Sequence, residues 1–267
     1  MTAAQFNFDH HTIHYRTGGH GDTPLICFHG YGESSTRFDF LEPHLTHQFT
    51  IIAIDLPYHG HTQWTDLQPA ALAATTSALL AHLNIPPKNI HLLGFSLGAR
   101  IALCLLQQMP ASISKAVLLA PDGLTINFWY WLSTQTTIGN SLFRLTMKKP
   151  GWFLGMLRTS AKLRIVNQSI LKFVENYIHD DTIRRQLYQR WTGLRKCKPN
   201  KATLRRLIPA NNIRIELLYG RYDRNIGQKK GKQFIKGLPN ANMQVLNCGH
   251  QVLHEKNAGA IVSALLQ

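Results

Sequence analysis

The sequence predicts an α/β fold, in which a mostly parallel sheet is covered by helices on both faces and carries one helical insertion. Short apolar runs alternate with helical patterns along most of the 267 residues. Several of these runs are continuously apolar, which is typical of parallel strands with both faces buried. The repeated order of strand, helix and strand implies right-handed crossovers in a doubly covered sheet.

The pattern assigns each element in turn. Residues 6–8 and 12–16 alternate in polarity and predict an antiparallel hairpin at one edge of the sheet. Six further strands are predicted at residues 25–28, 50–56, 90–95, 116–120, 213–219 and 243–246. Helices are predicted at residues 69–83, 97–109, 228–237 and 254–266.

The alternation stops after the sixth strand. Residues 122–200 contain no convincing strand pattern, so we predict a helical lid there, with a core domain made of residues 1–121 and 201–267. The basic charge is concentrated in the same region. Residues 125–206 hold 16 Lys and Arg against three acidic residues, a net charge of +13 out of +15 for the chain.

Composition excludes several classes of protein. No stretch reaches the roughly 18–20 continuous apolar residues of a membrane span, and residues 1–11 lack the pattern of a secretory signal. The four cysteines form neither a CxxC pair nor a zinc spacing, which predicts no metal site. A reducing, cytoplasmic compartment is the expectation.

Ser96 is the central chemical signal. It stands in Gly94-Phe95-Ser96-Leu97-Gly98, between a predicted strand and a predicted helix. Such a junction holds a serine hydroxyl above the sheet in a strained turn, and glycines are needed where side chains would collide. The segment predicts a nucleophile, whereas the alternative is a serine that only caps the helix.

A glycine-rich loop follows the strand at residues 25–28. It reads His29-Gly30-Tyr31-Gly32, and the backbone amides of Tyr31 and Leu97 are predicted to bind a tetrahedral oxyanion. His29 is either a base or, as we favour, a residue that hydrogen-bonds the loop.

The partners of the serine are predicted from strand ends. Asp223 follows one late strand and His250 follows the last strand, in the chain order of serine, acid and histidine. Asp122 is an alternative acid, and His254 is expected to be a surface or cap residue. We favour Asp223, because Gly220 before it allows a tight bend.

These segments together resemble the α/β-hydrolase fold, in the branch with an HG-x-G loop and a single lid. The resemblance rests on residues 29–32, 55–62, 94–98 and 220–223, and on Gly249-His250 with Glu255 after it. It implies that His59, within residues 55–62, is structural, and the serine nucleophile disfavours aspartate-dependent dehalogenases and epoxide hydrolases. Two positions depart from the family: Tyr58 replaces a small residue and Asn257 replaces a proline.

The implied function is an esterase or lipase-like serine hydrolase that needs no cofactor. It acts on a small-molecule ester, thioester or other acyl substrate. C–C bond hydrolysis or a lyase step on the same triad is an alternative, and a non-catalytic binding protein is another. Predicted substrate contacts are His29, Phe95, Phe128, Trp131 and Trp152.

The basic, aromatic lid allows three interpretations. It is a solvated helical cover, an apolar acyl pocket with its basic face on anionic lipid, or a surface for an acyl carrier or a carboxylate substrate. Nucleic acid is disfavoured, because no binding motif accompanies the charge.

Overall fold

A computed structural model describes residues 1–64, 67–124, 128–163, 171–172, 174–175 and 178–267. The strands are β1 Thr2–Phe8, β2 His11–Gly18, β3 Thr23–Phe28, β4 Phe49–Ile54, β5 Ile90–Phe95, β6 Ile113–Leu119, β7 Arg214–Gly220 and β8 Ala241–Leu246. The helices are α1 Glu42–Leu45, α2 Pro69–His82, α3 Leu97–Gln108, α4 Phe128–Gln135, α5 Thr137–Lys148, α6 Gly151–Lys162, α7 Asp181–Gly193, α8 Lys201–Ala210, α9 Gln228–Ile235 and α10 Ala258–Leu266. Short 3₁₀ helices occupy Ser35–Leu41, Pro110–Ser112 and Glu255–Asn257.

All eight strands form one sheet in the order β1-β2-β4-β3-β5-β6-β7-β8. The hairpin of β1 and β2 is antiparallel and joins β4 at one edge, while β3 to β8 pair in parallel. The predicted fold class is therefore confirmed. The carboxyl ends of the parallel strands lie at one edge of the sheet, which is where such folds bind their ligands.

The sheet is buried on both faces, because alternate residues of each central strand point to opposite layers. Leu25 and Cys27 of β3 belong to a core that also includes Ile261 and Leu265 of α10. Helix α3 packs against β3, β5 and β6 on one side and also contacts α2 and α8, so that nine of its twelve residues are buried. The continuous apolar runs in the sequence reflect this double burial.

Most element boundaries differ from the prediction by one to four residues, and contacts in the structure explain two of these differences. Strand β6 begins at Ile113 rather than 116, because Lys115 is fully buried in it and its Nζ donates to the Leu265 carbonyl, 3.1 Å away. The last helix begins at Ala258, and His254 caps the 3₁₀ turn before it by accepting from the Lys256 N–H. His254 is exposed, as expected of a cap.

The chain divides into two compact units. The first comprises Met1–Thr125 and Lys196–Gln267, and the second is Ile126–Arg195. These bounds lie a few residues inside the predicted insertion at 122–200, because both flanking segments bind the first unit. The Asp122 N–H donates to the Ser96 carbonyl at 3.1 Å, and the Asn200 N–H donates to Gln107 Oε1 at 2.9 Å. That the second unit acts as a lid stays a prediction.

The secondary structure described in the second unit consists of helices joined by short turns. Its helices pack through aromatic contacts: the ring of Phe143 in α5 lies 5.5 Å from those of Tyr188 and Trp191 in α7. Across the described ranges of the whole chain, no helix has the length and apolar character needed to cross a membrane.

A buried histidine lies at the amino-terminal end of the central strands. His91 of β5 is only 8% exposed and pairs across the sheet with Lys115, which in turn pairs with Arg214. Burial, together with the positive charges of Lys115 and Arg214, lowers the pKa of His91 to about 4. The folded protein thus keeps this ring neutral at a pH where an unfolded chain would protonate it.

We expect this histidine to make stability depend on pH between about 6.5 and 4. In that window the unfolded chain binds a proton that the folded chain does not, so the free energy of unfolding falls as the pH falls, by on the order of 3 kcal/mol for a shift of this size. His91→Gln should flatten the dependence, as measured by urea unfolding at several pH values. Exposed His44 supplies the control, and an equal effect of His44→Gln would contradict the assignment.

Candidate active site

Ser96 occupies the turn between β5 and α3. Its backbone is strained, with φ 51° and ψ −112°, a region that residues other than glycine rarely adopt. Two hydrogen bonds hold the turn: the Ser96 N–H donates to the Leu119 carbonyl at 2.9 Å, and the Asp122 N–H donates to the Ser96 carbonyl at 3.1 Å. The side chain therefore stands at the strand ends and at the amino terminus of a helix.

The flanking glycines allow this turn by close packing. A Cβ on Gly94 would overlap the backbone of Ala99, and a Cβ on Gly98 would overlap the carbonyl group of Phe28. Helix α3 can approach β3 only because Gly98 has no side chain. The sequence reasoning assigned the same steric reason to both glycines.

His250 joins Ser96 to Asp223. Its Nε2 lies 3.1 Å from Ser96 Oγ, and its Nδ1 lies 2.7 Å from Asp223 Oδ2. The Asp223 side chain is fully buried, whereas that of His250 is 25% exposed. The structure thus brings together the three residues that the sequence placed after three separate strands.

Asp223 is held by its own loop. Its Oδ1 accepts hydrogen bonds from the N–H groups of Asn225, at 2.7 Å, and Ile226, at 3.0 Å. These bonds leave Oδ2 directed at the histidine. Gly220 is needed because the Gly249 backbone passes close to it: a Cβ on Gly220 would overlap the Gly249 carbonyl oxygen. The loop of Asp223 can therefore lie beside the loop of His250.

The alternative acid, Asp122, has a different partner. Its carboxylate forms an ion pair with Arg100 of α3, and its Oδ1 accepts from the Gly123 N–H at 2.7 Å. Both ring nitrogens of His250 are already engaged, by Asp223 and Ser96. The geometry therefore favours Asp223 as the partner of the histidine.

The family assignment follows from the sequence match as well as from this geometry. The sequence model of the family described as "alpha/beta hydrolase fold" matches residues 23–257. The chain belongs to this family. The match includes Ser96, Asp223 and His250.

Individual proteins similar to this chain include two curated sequences and one solved structure. The chain is 25% identical over 253 residues to the uncharacterized hydrolase YugF of Bacillus subtilis, covering 91% of this chain and 88% of that protein. It is 32% identical over 103 residues to a pimeloyl-[acyl-carrier protein] methyl ester esterase of Methylococcus capsulatus, covering 39% of this chain and 38% of the esterase. A putative lipase from Acinetobacter baumannii superposes with a TM-score of 0.66 at 22% identity, covering 99% of this chain and 91% of the lipase.

The chain covers very different shares of its curated relatives. It spans 88% of YugF and 38% of the Methylococcus capsulatus esterase. It spans 30% of an acetyltransferase component of an acetoin cleaving system from Pseudomonas putida. Structural neighbours of this alpha/beta hydrolase include an esterase and a thioesterase domain, each 15% identical, which shows a shared fold.

The predicted oxyanion donors lie on two adjoining segments. Leu97 is the first residue of α3, where a backbone N–H has no partner within the helix. Tyr31 follows Gly30, whose own N–H donates to Glu33 Oε2 at 3.0 Å and is therefore occupied. The assignment of Tyr31 and Leu97 to oxyanion binding stays a prediction.

Two predicted substrate contacts lie inside the core. His29 has no exposed surface: its Nδ1 donates to the Gly30 carbonyl at 2.8 Å, and its Nε2 accepts from the Leu56 N–H at 3.0 Å. Phe95 is 2% exposed, and its ring lies 5.4 Å from that of His250. Both side chains support loops of the site, and neither presents a surface to a substrate.

The remaining predicted contacts lie in the second unit. Phe128 and Trp131 are on α4 and Trp152 is on α6, with exposed fractions between 41% and 61%. Their contact with substrate stays a prediction. Among the residues that the structure describes, no group of three or more His, Cys, Asp or Glu side chains is arranged to hold a metal ion.

The loop that the family resemblance marked as structural is held by Asp55. This carboxylate accepts from the N–H groups of Ser35, at 2.6 Å, and His61, at 3.0 Å, and pairs with His14 Nδ1 at 2.8 Å. Burial raises the pKa of Asp55, but these backbone hydrogen bonds outweigh it and the pKa is lowered. His59 of the same loop is buried, with Nδ1 donating to the Pro57 carbonyl.

Of the two departures from the family pattern, one has a physical explanation. Tyr58 has φ 63°, in the left-handed region that favours glycine, and its backbone conformation does not explain a tyrosine there. Asn257 uses a donor that proline lacks, since its Nδ2 donates to the Val252 carbonyl at 2.9 Å. It thereby fixes the segment that follows His250.

Sequence reasoning missed a carboxylate that joins the two loops of the site. Glu33 Oε1 accepts from Gln251 Nε2 at 2.7 Å, while Oε2 accepts from the Gly30 N–H. Arg37 completes the bridge: its Nε lies 3.2 Å from Glu33 Oε1, and its Nη2 donates to the Leu253 carbonyl at 2.9 Å. The glycine-rich loop is thus tied to Gln251 and Leu253, which both follow His250 in the chain. The signal in the sequence was an acidic residue within an otherwise uncharged loop.

We expect Glu33→Ala to loosen both loops. Losing a charge-assisted bridge lowers the free energy of local opening by about 1–2 kcal/mol, so backbone amides of residues 29–37 and 250–254 should exchange about tenfold faster. Hydrogen-exchange mass spectrometry measures this. Glu33→Gln retains one acceptor and should recover part of the protection. Glu216→Ala removes a carboxylate bonded to Asn242 and is the control, and equal exchange in all variants would count against the bridge.

Proposed function

We propose that the protein is a serine hydrolase that cleaves carboxylic ester or thioester bonds through a Ser-His-Asp triad of Ser96, His250 and Asp223. The observation that carries the proposal is the position of His250, which lies within hydrogen-bond distance of both Ser96 Oγ and Asp223 Oδ2. A nucleophile, a base and a group that orients the base are what acyl transfer requires.

The first half of the reaction forms an acyl-enzyme. Ser96 Oγ attacks the carbonyl carbon of the substrate while His250 Nε2 accepts the hydroxyl proton. Asp223 stabilises the imidazolium that forms and keeps Nδ1 protonated, because its second oxygen is held by the Asn225 and Ile226 amides. His250 then donates its proton to the leaving alcohol or thiol as the carbon–oxygen or carbon–sulfur bond breaks.

The second half releases the acid. His250 takes a proton from water as the water oxygen attacks the acyl carbon. The bond between that carbon and Ser96 Oγ then breaks, and His250 returns the proton to Oγ as the acid leaves. In both halves the negative oxygen is stabilised by the Tyr31 and Leu97 N–H groups and by the positive end of α3. The bridge from Glu33 supports this arrangement, because it fixes the loop of Tyr31 relative to that of His250.

An acyl substrate is supported by the relatives and by the apolar character of the second unit. Relatives named pimeloyl-[acyl-carrier protein] methyl ester esterase act, by their names, on an ester carried by a protein. We assign the second unit as a lid and its aromatic residues Phe128, Trp131 and Trp152 as contacts for the acyl chain.

Ser96→Ala should lower ester and thioester hydrolysis at least about a thousandfold, because it removes the attacking oxygen. The measurement is a panel of acyl esters and thioesters graded by chain length, run beside labelling with a fluorophosphonate probe. Ser114→Ala is the control, since Ser114 lies at the opposite end of the sheet in β6. It should retain both turnover and labelling.

The outcomes separate the alternatives. Undiminished labelling of the Ser96→Ala variant would disprove the nucleophile. Labelling at Ser96 without turnover of any ester or thioester would redirect the proposal to C–C bond cleavage or a lyase step. Absence of both in the folded wild-type protein would favour a non-catalytic binding protein.

The acid can be tested by comparing two aspartates. Asp223→Asn should lower turnover by about a thousandfold or more, because the amide favours the wrong tautomer of His250. Asp122→Asn breaks an ion pair with Arg100 that does not reach the histidine, so we expect less than about a tenfold loss. Steady-state kinetics on the preferred ester measures both variants, and a reversed order of effects would assign the acid to Asp122.

A further inference from the structure

The helices at residues 128–163 expose an unusual amount of apolar surface. In the part of the chain that the structure describes, nine of the eleven exposed large hydrophobic side chains lie in this segment, with exposed fractions from 41% to 85%. They are Phe128, Trp129, Trp131, Ile138, Leu142, Leu145, Trp152, Met156 and Leu163. Single exposed apolar residues are ordinary on a protein surface, but a concentration of this size marks an interaction site.

The exposed residues form stripes on two helices. Ile138, Leu142 and Leu145 are spaced at i, i+4 and i+7, which places them on one face of α5. The opposite face of the same helix carries Phe143 and the buried Met147, and the ring of Phe143 lies 5.5 Å from those of Tyr188 and Trp191 in the same unit. Helix α5 therefore packs one face within its own unit and presents a second apolar face outward, where a solvated helix would be polar.

Helix α6 repeats the pattern. Trp152 and Met156 are four residues apart and exposed, whereas Leu154, Leu157 and Ala161 are buried. The ring of Trp152 lies 5.9 Å from that of Phe153. Aromatic side chains of this kind are enriched where protein meets the interface of a lipid bilayer.

The charge of the segment identifies its partner. Residues 128–163 contain no Asp or Glu. They contain five basic residues, all exposed: Arg144, Lys148, Lys149, Arg158 and Lys162. Arg158 forms an ion pair with Glu175 of the same unit, at 2.7 Å, which leaves Arg144, Lys148, Lys149 and Lys162 as the cations beside the apolar stripes. Apolar stripes beside exposed cations match a surface that offers hydrocarbon beneath a layer of negative charge.

We propose that helices α4 to α6 dock on an anionic lipid surface, with the apolar stripes inserted at the headgroup level and the basic residues on the headgroups. Helices of 8–12 residues extend about 12–18 Å, well short of the roughly 30 Å of hydrocarbon, so they lie in the interface and do not cross it. A second copy of the chain is a poor occupant, because each copy carries +15. An acidic acyl carrier would satisfy the charges and leave the apolar stripes uncovered.

The experiment measures flotation of the full chain with vesicles of phosphatidylcholine, with and without phosphatidylglycerol. We expect binding only to the anionic vesicles, with a blue shift of tryptophan fluorescence, and weakening as salt is raised. The apolar variant is Ile138→Ser with Leu142→Ser, and its control is Leu266→Ser, an exposed leucine of α10. The charge variant is Lys148→Glu with Lys149→Glu, and its control is Lys229→Glu with Lys230→Glu on α9.

Each stripe or charge variant should lower binding at least about tenfold, while its control stays within about twofold of the wild type. Thermal unfolding verifies that all variants remain folded. Absence of binding to anionic vesicles, or binding that none of the four segment substitutions changes, overturns the proposal. Binding of an acidic acyl carrier protein through Lys148 and Lys149, without binding to vesicles, overturns it as well. Because docking does not use Ser96, the Ser96→Ala variant must bind vesicles equally, which separates this inference from the proposed chemistry.

Discussion

The strained backbone of Ser96 is the constraint on which the rest of the site depends. A φ of 51° at a serine costs about 1–3 kcal/mol and persists only where surrounding contacts enforce it. Here the enforcing contacts come from neighbouring strands: β6 accepts the Ser96 N–H through Leu119, and β3 lies directly against Gly98 of α3. The strain is thus balanced by the packing of the sheet centre, so the position of the hydroxyl is set by the most buried part of the fold.

The same packing explains why the remaining groups sit on loops and yet are well positioned. Two amides of its own turn hold Asp223 Oδ1. The carboxylate cannot rotate freely, so Oδ2 points at His250. His250 is fixed on one side by that oxygen and along the chain by the bonds of Gln251 and Leu253 to Glu33 and Arg37. Each loop is short and begins at a rigid strand end, so one or two cross-loop bonds suffice to fix it.

The sequence predicted those features that depend on local pattern and missed those that depend on distant contacts. Apolar runs predicted the strands, and positions at or just beyond three strand ends predicted Ser96, Asp223 and His250, because parallel strands end at one edge. The bond between Glu33 and Gln251 joins residues 218 positions apart, which no local pattern encodes. The start of β6 was misplaced for a related reason: a lysine ordinarily marks the surface, and only the Leu265 carbonyl explains its burial. His29 and Phe95 are buried although they adjoin the site along the chain, because local sequence does not report which side chains the packed fold covers.

The two units divide the physical requirements of function. The first unit provides geometry that any acyl transfer needs, and its core residues are constrained by close packing, which leaves little room for specificity. The second unit carries exposed apolar and basic side chains. Water solvates the basic side chains favourably and the apolar side chains unfavourably. A surface that combines both is stable where hydrocarbon and anions meet, and a substrate with an acyl chain dissolves in the same place. If the second unit resides at such an interface, the concentration of substrate near Ser96 is set by partition into lipid as well as by affinity for a pocket.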